Sequence, residues 1–221
     1  MTTCLMTIPR FRAVVLDVDS TLCGIEGIDW LAARRGPAVA ASIASLTDQA
    51  MQGAIPLESV YGERLAVIRP TADEVAELAR AYADALAPGA REAIFRMRGE
   101  GVAVALVSGG IRQAIRPLAH DLGFGDADVR AVSLSFDDSG AFAGYDTTSP
   151  LATQRGKKDV IAQLGLPRPL LAVGDGASDV AMRESADAFA AFTGYARREP
   201  AVKAADYVVS SFRDLMAIVL P

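Results

Sequence analysis

Two carboxylates, Asp17 and Asp19, close the apolar run Ala13-Val14-Val15-Leu16 and are followed by Ser20-Thr21. In an extended strand, acids two positions apart share a face. At the end of a strand they suit an attacking carboxylate beside a proton shuttle, or a pair of metal ligands. A second apolar run, Leu170-Leu171-Ala172-Val173, leads into Gly174-Asp175-Gly176-Ala177-Ser178-Asp179. The glycines allow a tight turn, with Asp175 at the strand end and Asp179 about one turn into a helix. Four Asp residues at the ends of two strands read as a hard-cation site, with Mg²⁺ the best fit. Ca²⁺ fits less well, because no loop strings acidic ligands at every second position. A third run, Val102 to Val107, precedes Ser108-Gly109-Gly110 and a helical pattern from Ile111 to Leu122. Small residues and a hydroxyl at a helix start can point N–H groups at an anion. A fourth piece, Gly156-Lys157-Lys158-Asp159, precedes the helical stretch Val160 to Leu164 and offers a cation for phosphate. Each piece has a plainer reading, as a solvated turn, a helix cap or a surface lysine.

Elements must bring these pieces together. Strands near 13–17, 102–107, 170–174, 188–192 and 207–209 alternate with helical patterns, which predicts an α/β fold. Its sheet is Rossmann-like and mainly parallel, with helices on both faces. Ligands of such sheets bind beyond the carboxyl ends of the strands. Residues 24–85 carry almost no strand signal and read as an inserted helical cap. The core then comprises 1–23 and 86–221. Thr71-Ala72-Asp73-Glu74 is a capping box. Val75, Leu78, Ala79 and Tyr82 mark one face of the helix it opens. Trp30 reads as core, His120 as a structural mid-helix residue, and Phe136 to Phe142 as a hairpin with Asp-Ser-Gly at its turn.

The four pieces, in their order, resemble the haloacid dehalogenase superfamily, and within it the phosphoserine phosphatase family. The resemblance spans about 14 to 215. It includes Glu26-Gly27-Ile28-Asp29, Ala50-Met51-Gln52-Gly53-Ala54-Ile55-Pro56, Glu63-Arg64-Leu65-Ala66 and Ala186-Asp187-Ala188-Phe189. It implies a haloacid dehalogenase-like core with Asp17 as nucleophile and Asp19 as general acid/base. Asp17, Asp175 and the backbone carbonyl of Asp19 would hold Mg²⁺. Ser108, Gly109 and Lys157 would bind phosphate, with Asp179 orienting Lys157. Lys157 is preferred to Lys158 because it keeps the family's spacing to Val160-Ile161. Glu26, Met51 and Arg64 would line the substrate pocket. The chain departs from the family pattern at Arg155-Gly156, at Ser149 to Gln154, and at Leu57, where a Phe is common.

The implied activity is Mg²⁺-dependent hydrolysis of O-phosphoserine to serine and phosphate through an aspartyl phosphate, the last step of serine synthesis. Glu26 would pair with the α-ammonium and Arg64 would grip the α-carboxylate. Two other readings are the same chemistry on another small phosphomonoester, including transfer to an alcohol, and a non-enzymatic phospho-receiver.

At 221 residues with 51% hydrophobic side chains, one domain with a subdomain is expected. The net charge of −5 argues against nucleic acid or an anionic membrane as partner. No apolar run approaches the roughly 20 residues of a membrane span. Cys4 and Cys23 form no metal or redox motif. Cys4 is expected in a loose tail, Cys23 behind the first motif, and no disulfide between them. Met1 to Arg10 lacks the pattern of a signal peptide, and a cytoplasmic location is expected.

Overall fold

The computed structural model describes residues 10–221. Cys4 and the rest of Met1 to Pro9 lie outside the described residues.

Among the described residues eight strands form: β1 (Ala13–Leu16), β2 (Ala103–Ile111), β3 (Val129–Val132), β4 (Leu134–Phe136), β5 (Phe142–Tyr145), β6 (Leu170–Gly174), β7 (Ala188–Phe192) and β8 (Tyr207–Val209). Six of them make one sheet in the order β3-β2-β1-β6-β7-β8, every neighbouring pair parallel. The residues of β1 are fully buried, as an apolar strand covered on both faces must be. From β1 the chain first steps outward to β2 and β3. It then returns to the other side of β1 for β6, β7 and β8. The direction of winding thus reverses between β1 and β6, and their carboxyl ends diverge around a crevice.

Among the described residues the α-helices are ten: α1 (Gly27–Ala32), α2 (Pro37–Met51), α3 (Leu57–Ile68), α4 (Ala72–Asp84), α5 (Ala90–Gly99), α6 (Arg112–Asp121), α7 (Gly156–Gln163), α8 (Ala177–Val180), α9 (Glu199–Ala204) and α10 (Phe212–Val219). The first four fill the long insertion between β1 and β2. In α4 the Thr71 hydroxyl accepts from the Glu74 N–H at 3.2 Å, and Glu74 accepts from the Thr71 N–H at 2.8 Å. A cap of this kind contributes about 1 kcal/mol. Arg35 grips both Glu74 oxygens at 2.6 Å, tying the turn after α1 to the start of α4. Val75, Leu78, Ala79 and Tyr82 are buried, as their spacing predicts. Trp30 is half-buried under the stacked Arg34 guanidinium. His120 Nε2 lies 2.9 Å from Asp126 on the surface, away from the crevice. β4 and β5 form the expected hairpin, and Asp137 closes its turn by accepting from the Ser139 and Ala141 N–H groups.

Three expectations change. The turn predicted at Ser108-Gly109-Gly110 is instead the tail of β2, and α6 begins only at Arg112. Pairing with β3 keeps this segment extended across a register irregularity, with Ile111 facing Val132. The helix predicted from Val160 starts earlier, at Gly156, because Lys157 turns inward and is buried. β3 itself has no counterpart in the sequence reading: it is four residues long and carries Arg130.

Candidate active site

Three neighbouring strands end at one place. β1 stops at Leu16, so Asp17 and Asp19 lie just past the strand rather than on it. The Asp17 N–H still bonds to the Val173 carbonyl at 3.0 Å, which holds its side chain at the mouth of the crevice. Ser20, with φ of 51°, turns the chain sharply after the two acids. From the β6 side come Asp175 and, four residues on, Asp179. Asp179 folds back so that one oxygen accepts from the N–H groups of Asp175 (3.1 Å) and Gly176 (2.9 Å). Its other oxygen meets Lys157 Nζ at 2.5 Å. A Cβ at Gly174 would overlap that carboxylate, so only glycine permits the fold-back. From the β2 side comes Ser108, whose hydroxyl lies 3.3 Å from Asp19 Oδ2 and accepts from the Gly110 N–H at 2.9 Å.

The result is a buried excess of negative charge. Asp17, Asp175 and Asp179 each bring a carboxylate oxygen within 4.8 Å of the others. Like charges about 4 Å apart repel by roughly 4 kcal/mol at an effective dielectric near 20. Burial first, then Asp179, pushes the Asp17 carboxyl well above the usual range. Lys157 Nζ answers at 2.8 Å from Asp17. Burial disfavours its ammonium, but Asp17 and Asp179 outweigh that and raise its pKa. Arg198 adds a second cation, paired with Asp175 Oδ2 and reaching Glu26 Oε1 at 3.2 Å. Thr21 donates to the other oxygen of Asp175 at 3.2 Å. An all-oxygen, buried carboxylate set that draws in two cationic side chains fits a hard divalent ion. Asp179 is the member least available to such an ion, since N–H donors and Lys157 already engage both its oxygens.

The far wall of the pocket is built from helices. Arg64 on α3 is buried, only 4% exposed. Its Nη1 donates to Thr47 on α2 at 2.7 Å, and Thr47 donates to Asp29 on α1 at 2.6 Å. Its Nε is buried without a partner. Burial lowers the Arg64 pKa, while Asp29 opposes the shift. Glu26 stands at the N-cap position of α1 without capping it. It accepts from the Ser20 hydroxyl at 2.7 Å, and burial first, then Asp19, pushes its carboxyl up to about 7. Met51 ends α2 against Gly176. The Tyr61 hydroxyl donates to the Gly109 carbonyl at 2.8 Å, tying α3 to the tail of β2.

Of the residues singled out from sequence, Asp17, Asp19, Glu26, Met51, Arg64, Gly109, Lys157 and Asp175 line this one pocket. Ser108 and Asp179 stand directly behind it. Leu57 lines it as well. Arg198 and Thr47 escape the sequence reading, which has Tyr82 only as a core-facing residue and Asp29 only as part of a family stretch. Arg198 sits in an unpatterned loop, and nothing in its spacing marks it. Cys23 is buried as expected, its pKa raised by burial and by Asp19. Among the described residues no helix is long and apolar enough to cross a membrane.

A family model for haloacid dehalogenase-like hydrolases matches residues 14–184. The phosphoserine phosphatase of Rattus norvegicus is 37% identical over 207 residues, covering 92% of this chain and 91% of its own. The chloroplastic phosphoserine phosphatase of Arabidopsis thaliana is 35% identical over 210 residues, covering 93% of this chain and 70% of its own. A crystal structure of a phosphoserine phosphohydrolase-like protein from Francisella tularensis superposes with a TM-score of 0.86 at 25% identity. It covers 94% of this chain and 99% of its own. Strand order, site and relatives agree: the chain belongs to the phosphoserine phosphatase family of haloacid dehalogenase-like hydrolases.

Proposed function

We propose that the protein hydrolyses O-phosphoserine to serine and phosphate through an aspartyl phosphate on Asp17. One observation carries the substrate choice. The pocket lined by the acids and Lys157 is also lined by Glu26 and by a buried Arg64 with an unpartnered Nε. An arginine with a donor to spare suits a carboxylate, and a buried acid suits an ammonium. The names of the Rattus and Arabidopsis relatives support the same substrate.

Asp17 attacks phosphorus in line, and the alcohol oxygen leaves. A serine alkoxide leaves poorly, so Asp19 gives it a proton. Asp19 then takes a proton from the water that opens the acyl phosphate. Lys157 neutralises phosphoryl oxygen charge, helped by the Ser108 hydroxyl and the backbone at Gly109. Asp179 holds Lys157 in place. Mg²⁺, held by Asp17, Asp175 and the Asp19 carbonyl, supplies the remaining positive charge when bound. Arg64 and Glu26 orient the amino-acid end, and Met51 packs against it. We take 24–85 as a cap on the core of 1–23 and 86–221, its closure over phosphoserine bringing Glu26 and Arg64 to the phosphate site and excluding bulk water while Asp17 attacks. A reducing compartment such as the cytoplasm suits the free, buried Cys23.

The test is a panel of phosphorylated metabolites, scored by phosphate release. Phosphoserine is expected to give the highest kcat/KM, with a hydroxylamine-sensitive phosphoenzyme during turnover. A different preferred ester would refute the substrate. Product phosphorylated on an added alcohol would mark a transferase. A stable phosphoprotein without release would mark a receiver.

A further inference from the structure

Asp19 is held by groups that the reaction as written does not use. Its Oδ1 accepts from the Gly27 N–H at 2.7 Å and from the Tyr82 hydroxyl at 2.6 Å. Its Oδ2 has only the longer 3.3 Å contact to the Ser108 hydroxyl and lies beside Gly110 on the pocket wall. A carboxylate oxygen offers two lone pairs. Both on Oδ1 are engaged, which leaves Oδ2 to carry an exchangeable proton.

Tyr82 is fully buried on the inward face of α4. A residue needed there only for packing would require a ring and no hydroxyl. A Cβ at position 27 would overlap the Tyr82 oxygen, so Gly27 is matched to this bond. A phenol is ordinarily protonated at neutral pH, so Tyr82 is the donor in its 2.6 Å bond to Asp19.

We infer that Tyr82 is a positioning residue that locks the Asp19 rotamer and reserves Oδ2 for the proton given to the leaving group. This rests on the reading of Asp19 as general acid. In that step the bond from phosphorus to the alcohol oxygen breaks, and its electron pair stays on oxygen. That oxygen takes the proton from Asp19 Oδ2, while an Asp17 oxygen bonds to phosphorus. The proton of Tyr82 does not move.

The experiment compares kcat/KM of Tyr82→Phe and wild type, with Mg²⁺ present, on phosphoserine and on p-nitrophenyl phosphate. An alkoxide needs the proton, whereas nitrophenolate leaves without it. The variant is expected to lose about 10- to 100-fold on phosphoserine, the effect of one hydrogen bond to a charged group. On the aryl ester the loss should stay below about threefold. Asp19→Asn, run in parallel, must show the same leaving-group selectivity. If it does not, the reading of Asp19 fails first. If it does, while folded Tyr82→Phe loses equally on both esters or on neither, the inference about Tyr82 is overturned. Should Tyr82→Phe fail to fold by near-ultraviolet circular dichroism, trifluorotyrosine at position 82 keeps the ring and makes a stronger donor. Its rate must then change on phosphoserine and not on the aryl ester. An unchanged rate on phosphoserine overturns the inference.

Discussion

The two ends of the pocket are made in different ways. At the phosphate end, Asp17, Asp19, Lys157, Asp175 and Asp179 each lie within a few residues of a paired parallel strand or in the first turn of a helix. Asp17 follows β1 by one residue, Asp175 follows β6 by one, and Lys157 is the second residue of α7. Backbone hydrogen bonds fix these positions, and the acids are held by N–H groups, the buried Lys157, Arg198 and the Thr21 hydroxyl. At the recognition end, Asp29, Thr47 and Arg64 come from three different helices and meet through side chains alone, with Glu26 just before the first of them. On the proposed function, the first end handles a group common to all phosphomonoesters and the second meets whatever else the substrate carries. Chemistry would then rest on the sheet, and selectivity on the helices.

Substitutions at the two ends should separate these properties. The largest effect is expected from Asp17→Asn, which removes the attacking oxygen but keeps the shape. Turnover of every phosphomonoester should fall by roughly a thousandfold or more, with cooperative thermal unfolding retained. Full activity in this variant would remove Asp17 as nucleophile.

Removal of metal acts on the same end and should also spare no substrate. Activity is expected to vanish on exhaustive chelation with EDTA and to return with Mg²⁺. Ca²⁺ should restore little, since its looser, higher coordination does not hold in-line geometry. Undiminished turnover after chelation would rule out a metal role for the buried acids.

Arg64→Ala probes the other end. Phosphoserine should lose about 2–5 kcal/mol in kcat/KM, as when one partner of a buried ion pair is truncated. An aryl phosphate, with no α-carboxylate, should lose far less, because Asp17, Asp19 and Lys157 are untouched. Glu26→Ala should show the same selectivity through the α-ammonium. Equal losses on both esters would make Arg64 a support of the fold, and the contrast between the two ends would collapse.

The smallest effect is one of pH. Burial pushes Glu26 up to about 7, so its carboxyl is neutral below that pH and ionised above it. Only the ionised form attracts an ammonium. The ratio of kcat/KM for phosphoserine to that for an aryl phosphate should therefore rise severalfold between about pH 6 and pH 8. In Glu26→Gln the ratio should be flat across this range. A ratio equally pH-dependent in Glu26→Gln would assign the titration to another group.

Local spacing and composition were enough to identify the α/β class, the helical insertion, the capping box at Thr71 and the acids of the phosphate end, while the family resemblance chose Lys157 over Lys158. The reason is that apolar runs of four to six residues ending in Asp or Gly mark buried parallel strands. The chemistry of such sheets collects where those runs stop. The family resemblance added Arg64, Glu26 and Met51, which spacing alone left as ordinary helix residues. Only the tertiary structure decided that Arg64 is buried with an unpartnered Nε and that Arg198 spans Asp175 and Glu26. It also decided that Ser108-Gly109-Gly110 ends a strand and that Tyr82 turns its hydroxyl to Asp19. These depend on contacts between residues tens to more than a hundred positions apart, such as Arg198 with Glu26 and Tyr82 with Asp19. A local pattern records which side of a helix is buried. It does not record which polar atom waits on the other side of that contact.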